Sequence, residues 1–129
     1  MSEPPVVPAH LLLGRQAEAL AVESLQRRGF RLVERNWRCT SGELDAVMWD
    51  SDELVFVEVK ARTGSTRGSA EEALTSAKAR KLATAAEWYL ADHPDIGDPI
   101  WRIDLVAITL DPSGQVVRFA HIANAAQFG

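Results

Sequence analysis

A chain of 129 residues, 47% hydrophobic and 25% charged, fits one globular domain around a single apolar core and leaves no room for two. Its one cysteine, Cys39, excludes an internal disulfide, and no Cys/His pairs stand at the spacing of a structural zinc site. The net charge of −4 does not point to nucleic acid, but its distribution does: residues 14–81 carry a net +1, with five arginines between Arg27 and Arg38, and the acid gathers in the C-terminal third. A solvated charged surface accounts for such counts equally well. Apolar runs fall far short of the roughly 20 residues that span a bilayer, and the first ten residues have no basic leader, so the chain reads as cytoplasmic and free of the membrane.

In chain order, residues 1–10 are proline-rich up to Pro8 and read as a flexible tail, with one domain over 11–129. From Leu11 the positions Leu11, Gly14, Ala21, Val22 and Leu25 form one helical stripe, which Gly29 ends. A strand over 30–38 and the turn Thr40-Ser41-Gly42 precede two better strands, 43–49 and 54–62, joined as a hairpin by Asp50-Ser51-Asp52-Glu53. A flexible loop follows at 64–68. Ser69 with Glu72 resembles a capping box, and Thr75 or Ser76 can cap a second helix that runs to about Ala91. The nearly continuous apolar stretch 100–110 reads as a strand covered on both faces, and 116–122 as a last strand. The order predicts a mixed α/β domain on one sheet.

Alternation along the hairpin puts Leu44, Ala46 and Met48 with Val55, Val57, Val59 and Ala61 on one apolar face. The other face carries Glu43, Asp45, Val47 and Trp49, then Leu54, Phe56, Glu58, Lys60 and Arg62. If the hairpin closes over Ser51-Asp52, Asp45 falls opposite Glu58 and Glu43 opposite Lys60, because a one-residue slip would drive charge into the core. Two carboxylates facing each other across a sheet are destabilising unless something sits between them. A divalent cation would, and hard oxygens suit Mg2+ or Mn2+. Lys60 points the same way and could orient water or offset charge on a phosphorane-like transition state. The competing reading is an ordinary solvent-facing charged stripe; against it, the apolar half of the same face needs a cover, so the whole resembles a cleft floor.

Glu18 falls within the apolar stripe of the first helix, where a carboxylate is costly unless paired, protonated or bound to a cation. It either leans to solvent or an arginine, or it joins Asp45 and Glu58. Lys78, Arg80 and Lys81 lie early in the second helix, against its dipole; a bound phosphate backbone would explain them, and so would solvation on an amphipathic helix. Asp104 interrupts an apolar strand beside Arg102, which suggests a structural ion pair first and support for the site second. No nucleophile with a partner base can be read from the spacing, which excludes a Ser or Cys hydrolase.

Glu18, Gly42-Glu43-Leu44-Asp45 and Val55-Phe56-Val57-Glu58-Val59-Lys60-Ala61-Arg62 together resemble the PD-(D/E)XK nuclease superfamily, in the branch similar to archaeal Holliday junction resolvases. More closely, residues 14–122 resemble the YraN-like family of small bacterial proteins. The resemblance implies a restriction endonuclease-like three-layer α/β fold with an αβββαβ core, a mixed central sheet between helices. It implies Asp45 and Glu58 as metal ligands, Lys60 as the catalytic lysine, and Glu18 as a further carboxylate near the metal. Glu43, Arg62 and Asp104 would support the site, and Arg67, Lys78, Arg80 and Lys81 would meet nucleic acid. Leu44 departs from the proline that names the first motif. The function implied is metal-dependent hydrolysis of DNA, branched junctions included, by a homodimer using Mg2+ or Mn2+. The alternatives are a nucleic-acid-binding or assembly module that keeps the nuclease fold without turnover, and a purely structural protein.

Overall fold

The computed structural model describes residues 9–63 and 74–126, with side chains from residue 14 onward. The elements in order are α1 (Ala9–Arg27), β1 (Arg31–Cys39), β2 (Gly42–Asp50), β3 (Glu53–Thr63), α2 (Ser76–Asp92), a single 3-10 turn at Pro94–Ile96, β4 (Trp101–Leu110) and β5 (Val116–Ile122). Each expected element is present. α1 starts at Ala9, so the last two residues assigned to the tail belong to the helix. The loop at 64–68 and the capping box at Ser69 and Glu72 lie outside the described residues.

Local chemistry explains the boundaries. Gly29 takes φ +99° and donates its N–H to Gln26 O, while Phe30 N–H reaches Leu25 O, both at 3.0 Å. This pair of bonds satisfies the last carbonyls of α1 and folds Phe30 back onto Leu25 in the core. At the start of α2 the Thr75 hydroxyl accepts the Lys78 N–H at 3.2 Å, so Thr75, not Ser76, is the cap.

The five strands form one mixed sheet in the order β1-β2-β3-β4-β5, antiparallel except for β3 and β4, which run parallel with α2 as their crossover. α1 packs on one face with Ala46, Met48, Val55, Val57, Val106 and Ile108; α2 packs on the other with Val47, Leu54, Phe56 and Ile103. The result is the three-layer arrangement and αβββαβ order expected of a restriction endonuclease-like core. β4 is buried along most of its length because both helices cover it. Side chains such as Leu25 and Tyr89, both at 0% exposure, contribute about 2 kcal/mol each from apolar burial.

The hairpin register is the expected one: Asp50 pairs with Glu53, Met48 with Val55 and Ala46 with Val57. Pairing stops there. Glu43 therefore does not reach Lys60, and instead meets Arg38 at 3.5 Å. Leu44 also corrects the alternation, since it packs on the α2 face with Val47 while Ala46 between them lies on the α1 face. An unbroken strand would put Leu44 and Ala46 on the same side. β1 makes the same inversion: Arg35 pairs with Ala46 and Trp37 with Leu44, yet Trp37 packs on the α2 side. Between them Asn36 adopts φ +55°, a left-handed backbone within a strand, and the register sets it across from Asp45. At this point both strands turn over and β2 leaves β3.

Candidate functional site

The parting of β2 from β3 leaves Val59 N–H without a backbone partner, an amide that the continued ladder would hand to Leu44. Asp45 supplies the replacement: its Oδ2 accepts this N–H at 2.8 Å. The bond pins the Asp45 side chain at the mouth of the gap, next to Glu58 on β3. Glu58 is a buried charged residue, with 8% exposure. It shares the α2 face with Phe56 and Leu54, and Lys60 continues that row toward the open end.

Asp45 and Glu58 line a cleft of about 230 Å³ whose other walls are Ser41 from the β1–β2 turn, Gly42 and Glu43 from β2, and Lys78, Lys81 and Leu82 from α2. Two ammonium groups stand over Glu58 Oε1, Lys60 Nζ at 3.6 Å and Lys78 Nζ at 3.7 Å. Burial still dominates. It pushes the Glu58 carboxyl up to about 7, with repulsion from Asp45 adding to it and the two lysines opposing. Burial also raises Asp45, against the pull of the Val59 N–H, and the neighbouring Glu43 adds repulsion. Burial lowers Lys78, and the nearby Lys60 lowers it further. Three lysines face three carboxylates here, yet burial outweighs their pull on Asp45 and Glu58.

Glu18 is brought near but not into this pair. It lies 3.8 Å from Arg35, and the Asn36 amide, assigned with its nitrogen rather than its oxygen toward the two carboxylates, donates to Glu18 Oε2 at 2.9 Å and to Glu43 Oε1 at 3.2 Å. Burial raises the Glu18 carboxyl, followed by repulsion from Asp45 and Glu43. Among the described residues no three His, Cys, Asp or Glu side chains close into a cation-binding group, so the three-carboxylate convergence is not formed. Of the cleft's three carboxylates, Glu43 is drawn to Arg38, and Asp45 and Glu58 are the adjacent pair. Their hard oxygens suit Mg2+ or Mn2+, which take one or two protein carboxylates and complete their shell with water and phosphate oxygens.

The remaining candidates separate. Lys81 lines the cleft, whereas Arg80, one residue earlier, is exposed outside it. Arg62 continues the Glu58–Lys60 row, half-buried, two residues on. Arg67 lies outside the described residues. Asp104 is on the opposite, α1 face, fully buried, where Arg102 (2.9 Å), His121 (2.8 Å) and the Asn124 N–H (2.9 Å) satisfy it. Arg102 also holds Asp50 and Glu53 at the hairpin turn, so the ion-pair reading of Asp104 fits its surroundings. Sequence reasoning did not single out Asn36. The available signal was an asparagine inside a strand, a residue type that strands avoid and left-handed backbone tolerates.

Fold and cleft together define a three-layer α/β domain with an acidic, lysine-flanked cleft where two strands of its sheet part. Residues 17–108 match the family model described as "Uncharacterised protein family UPF0102", and the chain belongs to that family. This bears out the likeness to the YraN-like proteins. A UPF0102 protein of Renibacterium salmoninarum is 46% identical over 110 residues, 85% of this chain and 92% of the relative. One from Pelotomaculum thermopropionicum is 43% identical, over 91% of this chain and 97% of its own. Among solved structures, Pyrococcus furiosus SfsA in complex with Ca2+ aligns with a TM-score of 0.37 at 15% identity, over 92% of this chain and 65% of that one. Among the described residues no helix is long and apolar enough to cross a membrane.

Proposed function

We propose that this chain is a metal-dependent phosphodiesterase that hydrolyses backbone bonds of DNA, branched DNA included. The observation that carries the reading is the cleft itself: a buried carboxylate, Glu58, lies next to a half-buried one, Asp45, both are pushed toward protonation, and Lys60 stands beside Glu58. A fold gains nothing in stability from such a pair. It is the arrangement a hard divalent cation and a phosphate would complete. Mg2+ or Mn2+ held by Asp45 and Glu58 would supply positive charge against the scissile phosphate.

The chain's own groups do the rest. The Val59 N–H fixes one Asp45 oxygen, Oδ2, and the other oxygen would be the one offered to the cation. Glu58 keeps the Lys60 ammonium beside it, 3.6 Å away, from where it would orient water and offset charge building on the phosphorus. Lys78 and Lys81 on α2, with Arg62, Arg67 and Arg80 nearby in sequence, offer contacts for the phosphate backbone. A homodimer, as the resolvase resemblance implies, would present two such clefts to a branched substrate, and light scattering giving a 14 kDa species at micromolar concentration would remove that part of the proposal.

The test is cleavage of end-labelled linear duplex, single strand, flap and four-way junction with Mg2+ or Mn2+, beside Asp45→Ala and Lys60→Ala. Cutting that needs the cation and falls by at least roughly 100-fold in both variants is the expected result. A folded wild type that binds cation and DNA without cutting any substrate would instead make this a binding or assembly module on a nuclease fold.

A further inference from the structure

Two lysines reach the same oxygen of Glu58 by different routes. Lys60 rides on β3 two residues beyond Glu58, so the strand fixes its approach. Lys78 crosses the cleft from the first turn of α2, where a cation opposes the helix dipole and no acidic residue in that turn offsets it. Nothing in the helix itself favours a lysine there. What holds it is Glu58, 3.7 Å away, while the Thr75 hydroxyl fixes its backbone N–H. Lys78 is also the less enclosed of the two, its side chain 39% exposed against 30% for Lys60. Two ammonium groups on one oxygen repel each other, so the arrangement persists only while the carboxylates lack a stronger cation.

We propose that Lys78 is a resident counter-cation of this cleft. It occupies the side of Glu58 that a divalent cation would claim, and when displaced it turns, with the neighbouring Lys81, to a backbone phosphate of a bound nucleic acid. Lys78 is thus a positioning residue that links cation uptake to polyanion binding. The inference rests on the cation-binding part of the proposed function and deepens it. Linkage makes the coupling reciprocal: displacement of Lys78 weakens cation binding when no polyanion is present, and a polyanion that takes up the freed ammonium strengthens it.

The test is calorimetric titration of Mn2+ into the DNA-free wild type, Lys78→Met, Lys78→Gln, Lys78→Arg and Asp45→Asn proteins, with Arg118→Met on the exposed β5 surface as a control for removing one charge. The two neutral variants at position 78 differ in polarity, so one serves if the other does not fold by circular dichroism. Removing the competing ammonium is expected to tighten Mn2+ roughly five-fold, with Lys78→Arg and Arg118→Met close to wild type. A short duplex added beforehand is expected to tighten Mn2+ on the wild type and to have little effect on Lys78→Met. Equal Mn2+ affinity in wild type and both neutral variants overturns the inference and leaves the proposed function standing. No Mn2+ uptake by any protein, Asp45→Asn included, overturns both.

Discussion

Asp104 and the Asp45–Glu58 pair are acidic groups sunk into opposite faces of one sheet, and their surroundings treat them in opposite ways. Burial alone would raise the Asp104 carboxyl, but His121, Arg102 and the Asn124 N–H outweigh it and hold it below the usual carboxylate range. Around Asp45 and Glu58 burial wins, although two lysines and an amide oppose it. The difference lies in geometry. Arg102 places two nitrogens on Asp104, Nε at 2.9 Å and Nη2 at 3.3 Å; Nη2 is shared with Asp50, and the remaining Nη1 goes to Glu53. The lysines stand 3.6 and 3.7 Å from a single oxygen of Glu58, as ion pairs without close hydrogen bonds. One cluster is complete within the fold. The other is left open to a cleft, and an acidic pair left open is where a ligand belongs.

Substitution breaks or sharpens this contrast. Asp104→Asn removes the buried charge that Arg102 and His121 converge on, and is expected to cost about 3 kcal/mol, a fall in melting temperature of roughly 10 °C. Asp45→Asn keeps an oxygen for the Val59 N–H and relieves the repulsion on Glu58. The metal-free protein should then melt at the wild-type temperature or a few degrees above it. Thermal melts of the two variants in chelator decide the matter. Equal losses would mean that both clusters are structural.

The slope of stability with pH separates the clusters next. Glu58 titrates near 7 in the fold and near its ordinary value of 4.5 when unfolded, so the folded state binds more protons between these limits. Stability of the metal-free protein is therefore greatest below about pH 4.5 on this account, falls as pH rises toward 7, and is flat beyond. Asp104 works the other way: its depressed carboxyl contributes stability above 3.8 that is lost as pH falls through the folded value. Melts from pH 5 to 8 should slope downward for wild type and flatten for Glu58→Gln. A flat wild-type profile would place Glu58 in a better-compensated site than its neighbours suggest.

The legibility of the two clusters from sequence differed for a physical reason. Strand alternation and the two-residue turn at Ser51-Asp52 sufficed for the hairpin register, because any one-residue slip exposes Met48 and Val55 and buries charge. That register put Asp45 near Glu58, and the Arg102–Asp104 pair followed from i, i+2 spacing on one strand. The inversion at Asn36 and Asp45 was not legible. Alternation assumes an unbroken pleat, so Leu44 went to the wrong face and Glu43 was set against Lys60. Nor does periodicity report how a helix lies across a sheet, which is why the ion pair of Lys78 with Glu58 was not foreseen and why the choice for Glu18, between an arginine and the carboxylate pair, stayed open until Arg35 was seen beside it.

Asn36 offers the smallest and most specific test, because two effects separate there. Its φ of +55° costs most side chains on the order of 1 kcal/mol, asparagine less and glycine nothing, while its amide bridges Glu18 and Glu43. Asn36→Gly keeps the backbone turn and loses the bridge; Asn36→Ala loses both. If the turn is what parts β2 from β3, Asn36→Gly should keep the wild-type melting temperature within a few degrees and bind Mn2+ with nearly wild-type affinity. Asn36→Ala should melt several degrees lower and bind more weakly, since the strain is relieved by drawing Asp45 back into the ladder and away from Glu58. If the glycine variant instead loses Mn2+ binding as fully as the alanine variant, the carboxylates depend on the amide bridge, and the open cluster extends through Asn36 to Glu18 and Glu43.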